Sequence, residues 1–148
     1  MQKWIIRVIL ILILIGAGAY YFFMIYPNKV AFDAYNKGIQ LRESGKLDES
    51  VITFKKAIEN KPDFSRAYSE LASTYAQQKK YDEAITNAKK AVELDPNNGT
   101  AYYNLGSYYE EKSMLKEAAQ AYRKFLSILP NDPEAKDIES RVSILESN

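Results

Sequence analysis

The sequence repeats itself. "LDESVITFKKAIENKPDF" begins at Leu47, "YDEAITNAKKAVELDPNN" at Tyr81 and "LKEAAQAYRKFLSILPND" at Leu115, so the copies start 34 residues apart. Pro62, Pro96 and Pro130 keep the same interval. A fixed period of this length means that one supersecondary unit is written several times, each unit covering the apolar face of the next. Within a period the apolar residues recur at helical spacing in two runs. In the third copy Tyr102, Leu105, Gly106 and Tyr109 share one helical face, and Ala118, Tyr122, Phe125 and Leu129 share another. Ser113 marks the turn between the two runs. Pro130 ends the second, because proline has no amide donor and disfavours helix in the residue before it. A hairpin this small cannot shield its apolar side alone, so the sequence predicts helical hairpins stacked on one another.

These residues resemble the tetratricopeptide repeat, whose pattern runs W-x2-L-G-x2-Y, then A-x3-F, then P. The third copy supplies Tyr102, Leu105, Gly106, Tyr109, Ala118, Tyr122 and Pro130. The second supplies Tyr68, Leu71, Ala72, Tyr75, Ala84, Ala88 and Pro96, with Ala88 where a large ring is usual. The first supplies Ala34, Lys37, Gly38, Leu41, Ser50, Phe54 and Pro62, with Lys37 at a normally apolar position. The small residues Gly38, Ala72 and Gly106 fit a close approach of two helices. The resemblance implies an all-α solenoid of three helix-turn-helix repeats, at residues 31–64, 65–98 and 99–132. Residues 133–148 form one more helix with Ala135, Ile138, Val142 and Leu145 on one face. That helix reads as a cap over the third repeat or as a docking face for another protein.

The resemblance also implies a protein partner, an extended peptide or a helix held in the concave groove that the first helix of each pair lines. The candidate groove residues are Phe32, Tyr35 and Ile39, then Arg66, Ser69 and Ser73, then Tyr103, Asn104 and Ser107, with Glu70, Gln77, Thr100 and Glu111 on the same surface. Serines beside exposed tyrosines suit a peptide backbone flanked by aromatic anchors; the same residues also read as ordinary solvated helix positions. Relatives that grip the acidic C-termini of chaperones use a clamp of two Lys, two Asn and an Arg. Tyr35, Ile39, Glu70, Thr100 and Asn104 stand at those places, so no chaperone carboxylate clamp is expected.

Ahead of the repeats, residues 1–28 carry an almost wholly apolar stretch from Ile5 to Tyr26, with Arg7 its only charge. As a helix it reaches about 33 Å, enough to cross the hydrocarbon core of a bilayer. Trp4, Arg7 and Tyr26 suit the two interfacial layers, and Pro27 with Asn28 is expected to stop the helix. A cleaved signal peptide is the rival: Lys3 and Arg7 precede an apolar core, and Ala17-Gly18-Ala19 fits a cleavage site. Cleavage would leave "YYFFMIYP" as an exposed apolar start, which favours an uncleaved anchor. Basic residues lie on both sides of the span, so charge barely sets the orientation. A very short leading tail before a long domain usually stays in the cytoplasm, so in a bacterium the repeats are expected on the periplasmic side of the inner membrane.

From Lys29 onward the chain has 18 basic and 19 acidic residues, which leaves no basic stripe for a nucleic acid. The absence of cysteine and histidine removes thiol nucleophiles, histidine bases and Cys/His metal sites, and no cofactor is expected. Asp48-Glu49, Asp82-Glu83 and Glu110-Glu111 are neighbours in sequence and do not face each other on a helix. The first two pairs fit capping and the helix dipole. An enzyme is therefore not expected. The reading is a membrane-anchored interaction module that scaffolds, assembles or supports a membrane protein complex; the alternatives are a tethered receptor for peptides or client proteins and a secreted repeat protein.

Overall fold

The computed structural model describes the backbone from Gln2 to Ser147 and the side chains from Ile9 to Ser147. Among the described residues there is no strand. The helices are α1 (Gln2–Tyr20), a π-helical turn (Tyr21–Ile25), α2 (Tyr26–Glu43), α3 (Leu47–Asn60), α4 (Ser65–Gln77), α5 (Tyr81–Leu94), α6 (Gly99–Glu111), α7 (Leu115–Ile128) and α8 (Ala135–Ser147). Helices α2–α3, α4–α5 and α6–α7 pair as hairpins, successive hairpins stack, and α8 closes the stack against α7.

The stack explains the small residues. A Cβ on Gly38 would come within 2.7 Å of the Phe54 ring, and one on Gly106 within 2.6 Å of the Tyr122 ring. Glycine at these two places lets the ring lie directly on the first helix of its hairpin. Ser50, Ala84 and Ala118 are fully buried at equivalent positions of the second helices, and the Ser50 hydroxyl donates to the Gly38 carbonyl at 2.9 Å. Lys37 also finds its reason. Leu71 and Leu105, at the matching places, are buried, whereas Lys37 is exposed because no hairpin precedes α2 to cover it.

The three hairpin turns are built alike. Gly45, Lys79 and Ser113 have φ of 76°, 59° and 57°. The next amide in each case, from Lys46, Lys80 or Met114, donates back to Leu41, Tyr75 or Tyr109 at 2.9 Å, the left-handed termination that closes a helix C-terminus. The acidic pairs that follow lie in the first turns of α3 and α5, where the helix dipole favours them as the sequence suggested, but they are not the capping residues. The cap positions are Lys46 and Lys80, which make no side-chain cap bond. Asp48 and Asp82 sit in the first turns and reach across to the next repeat instead. Asp48 accepts from Gln78 at 2.8 Å and Asp82 from Lys112 at 3.0 Å, two links at the same interval.

Two expectations about the N-terminal region change. Pro27 and Asn28 do not stop the helix: α1, the π turn and α2 abut without a break. Proline is tolerated in the first turn of α2, where its missing N–H is not needed. The preceding π turn accommodates it, with the Tyr26 amide reaching the Tyr21 carbonyl and the Asn28 side chain donating to the Met24 carbonyl at 2.6 Å. The apolar residues Ile9–Ile15 and Tyr20–Tyr26 are exposed, so the stack does not cover this helix. Tyr26 lies with its ring parallel to that of Phe22, centroids 6.2 Å apart. The side chains of Trp4 and Arg7 lie outside the described residues.

Candidate partner-binding groove

The first helices α2, α4 and α6 line a concave trough of about 270 Å³, formed by Tyr35, Arg42, Arg66, Ser69, Glu70, Ser73, Asn98, Thr100, Ala101 and Asn104. Five of the nine sequence-derived groove residues therefore meet there: Tyr35, Arg66, Ser69, Ser73 and Asn104. They converge because each occupies the outward face of a first helix, with the next helix packed beside it. Arg42 was missed. It stands seven residues after Tyr35, two turns along the same face, and that spacing was the available signal.

The other four residues lie outside this trough. Phe32 is 41% exposed and packs against Phe64 with ring centroids 4.8 Å apart, forming a lip beside the trough. Ile39 is half-buried against the core of the second repeat. Ser107 is half-buried. Tyr103 is not the exposed anchor that the sequence suggested: its ring sits 5.5 Å from that of Phe125 and 6.0 Å from that of Tyr122. Burial raises the proton affinity of its hydroxyl, and a hydrogen bond with Glu134 adds to this. Tyr35 is half-buried too, its ring 5.0 Å from that of Phe64.

Charge in the trough is unevenly answered. The Arg42 guanidinium meets the Glu70 carboxylate at 2.9 Å, yet its buried Nε has no hydrogen-bond partner among the described residues, and neither has the buried Ser69 Oγ. Arg66 lies 6.0 Å from the Tyr35 ring centroid and 5.7 Å from that of Phe64, a cation resting on aromatic faces. Below the trough Tyr108 is buried. Burial pushes its hydroxyl up to about 12, while a hydrogen bond with Ser73 acts the other way. The reading of the clamp positions left out Arg42 and Arg66, which line the trough together with Asn104; a guanidinium suits a carboxylate, although that of Arg42 already meets Glu70.

A larger recess, about 730 Å³, opens between α5 and α7 over Tyr102, Leu105 and Tyr109. Among the described residues no group of Asp and Glu is arranged to hold a metal ion.

Models of the tetratricopeptide repeat match residues 34–64 and 99–132 and residues 53–86, and a TPR repeat model matches residues 72–113. The first TPR domain of Spaghetti (RPAP3), bound to an HSP90 peptide, is 26% identical, with a TM-score of 0.77 over 82% of this chain and 96% of that one. The TPR domain of Arabidopsis OM64 is 23% identical, with a TM-score of 0.75 over 80% and 98%. The second TPR domain of human RPAP3, in complex with an HSP70 peptide, is 21% identical, with a TM-score of 0.74 over 79% and 98%. The last two likenesses speak to the fold alone. No curated protein matches the chain in a sequence comparison.

Proposed function

Since this chain carries tetratricopeptide repeats from residue 34 to residue 132, we propose that it is a membrane-anchored protein-interaction module, a scaffold or assembly factor for a membrane protein complex. The concave trough carries the reading. Tyr35, Arg66, Ser73 and Asn104 line it together, so a guanidinium, a hydroxyl and an amide stand ready to hydrogen-bond an incoming backbone or carboxylate. The anchor half rests on the apolar helix, whose exposed face from Ile9 to Tyr26 needs a non-aqueous surrounding. A membrane tether concentrates neighbours in the same bilayer without any new contact. In this reading the repeats lie on the periplasmic side of a bacterial inner membrane.

Arg66→Glu combined with Asn104→Ala in the full-length protein tests it. Both residues border the trough without filling the core, so helical content is expected to persist. The yield of a defined membrane complex in a co-purification should fall about tenfold, the effect of 1.4 kcal/mol. An unchanged yield removes the trough as the binding site. Release of the chain from the membrane pellet by a salt wash alone removes the anchor.

The second reading is a tethered receptor for peptides or clients. Its support is that the RPAP3 domains similar to this array were solved with chaperone peptides bound, which conflicts with excluding chaperone tails as partners. A scaffold returns one stoichiometric complex; a receptor returns many substoichiometric clients.

A further inference from the structure

Between the apolar helix and the first repeat there is no linker. Proline inside a helix removes one amide donor and crowds the carbonyl four residues back. Here the π turn lies directly before it, and the chain passes Pro27 still helical and runs on to Glu43, with the Asn28 side chain adding a bond to the Met24 carbonyl. A π turn inside a longer helix often marks a functional feature.

Continuity fixes where each end of the array points. Helices α2, α4 and α6 lead away from the apolar helix, and α3, α5 and α7 return toward it. The turns at 61–64, 95–98 and 129–134 therefore lie at the end nearest the apolar helix, and those at 44–46, 78–80 and 112–114 at the far end. Charge divides the same way. The near turns hold Asp63, Asp95, Asp132 and Glu134 with Lys61 alone against them, and Lys61 is paired with Asp63 at 2.8 Å. The far turns hold Lys46, Lys79, Lys80 and Lys112, but Glu43, Asp48, Glu49, Asp82, Glu83, Glu111 and Glu117 flank them in the adjoining helices, and Lys46 and Lys112 are paired with Glu49 and Asp82.

On the premise that the apolar helix spans a bilayer, we propose that α1, the π turn and α2 form one rigid mast. The mast holds the array upright, its acidic turns toward the lipid and its lysine turns away. The concave trough then opens sideways, to an extramembrane segment of a neighbouring membrane protein. A loose tether leaves both ends of the array free to approach the lipid, whereas the mast keeps the 95–98 turn near it and the 78–80 turn away.

The chain has no cysteine, so Asn97→Cys and Lys80→Cys each give one labelling site, at opposite ends of the 14-residue α5, about 21 Å apart. The full-length variants are reconstituted in vesicles of phosphatidylethanolamine and phosphatidylglycerol with an acceptor dye on a lipid headgroup. Energy transfer is expected to be several-fold stronger from the N97C label than from the K80C label. Inserting a flexible Gly-Ser segment between Tyr26 and Pro27 should abolish that order. Equal transfer in the parent, a stronger signal from K80C, or no response to the insertion overturns the mast and leaves the anchor reading intact, provided the chain floats with the vesicles. Failure to float overturns both.

Discussion

The second and third repeats share their spacing and differ inside. In the third, Gly106 makes room for the Tyr122 ring, which is buried within its own hairpin. In the second, Ala72 faces Ala88, both buried and both small, so the hairpin does not fill its own interior. Its core is completed from outside: Phe54 of the first repeat and Leu105, Tyr108 and Ala121 of the third belong to the same buried cluster as Ala72, Tyr75, Ala84 and Ala88. The third repeat has a cluster of its own, made by Ala118, Ala119, Tyr122 and Phe125 with Ile138, Val142 and Leu145 of α8. An equal period thus fixes helix separation without fixing which side chains occupy the gap. The middle repeat has only this shared cluster, while the last, which lends Leu105, Tyr108 and Ala121 to it, keeps a second cluster with its closing helix.

Removing the ring at the centre of the third repeat's own cluster is the strongest way to break this contrast. Tyr122→Ala deletes a fully buried aromatic, at a cost of about 3–5 kcal/mol. It also strips Glu110 of the 2.6 Å bond from the Tyr122 hydroxyl, leaving that carboxylate held chiefly by Arg141 at 2.7 Å. Because Arg141 is on α8, the closing helix should lose protection along with α7. Ala88→Gly, the matching change in the second repeat, removes one methyl and adds glycine's helix penalty, together about 1–2 kcal/mol. Hydrogen exchange on the full-length protein reads both: opening confined to α6–α8 in the first variant, and opening shared by α3 to α6 in the second. Equal losses would mean that the two interiors are not different in kind.

The glycines give a finer comparison. Gly106→Ala puts a Cβ within 2.6 Å of Tyr122, and forcing the ring aside costs about 1–3 kcal/mol. Ala72→Gly meets no ring but removes a buried methyl as well as adding the helix penalty, together about 1–2 kcal/mol, so the larger end of the range is reserved for Gly106→Ala. Urea midpoints of the two variants check the order. A larger loss for Ala72→Gly would show that the second repeat has a hidden tight contact of its own.

Much of this was legible beforehand because it depends on local rules. The period and the helical spacing of Tyr102, Leu105, Gly106 and Tyr109 mark a hairpin whatever surrounds it, and Gly38 and Gly106 read as close approaches. What escaped depends on partners distant in sequence or on ambiguous punctuation. Pro27 looks the same whether it follows a helix or stands in the first turn of one, and only the π turn before it decides. Tyr103 looked exposed because Phe125 and Glu134, which hold it, come from later elements. Arg42 gained its place in the trough through Glu70 of the next repeat. In the same way Asp48 and Asp82 looked like caps until their partners, 30 residues on, were seen.

The smallest effect lies in the turns, where the first repeat differs from the other two. Gly45 takes its left-handed conformation without penalty, whereas Lys79 and Ser113 carry a Cβ in the same conformation, a strain on the order of 1 kcal/mol. Lys79→Gly and Ser113→Gly should therefore stabilise, but by less than that strain, because glycine also gains freedom in the unfolded chain. A rise of a few tenths to about 1 kcal/mol is expected for each. Gly45→Ala should cost about 1 kcal/mol, although its Cβ would meet nothing within 4 Å. Thermal midpoints of the three variants separate backbone strain from packing. If Gly45→Ala is neutral, the three turns are not equivalent, and a gain from Lys79→Gly would have to come from removing charge at the lysine-rich edge. Lys79→Ser, which removes the charge and keeps the Cβ, distinguishes the two: strain predicts no gain from it, charge predicts the same gain as glycine.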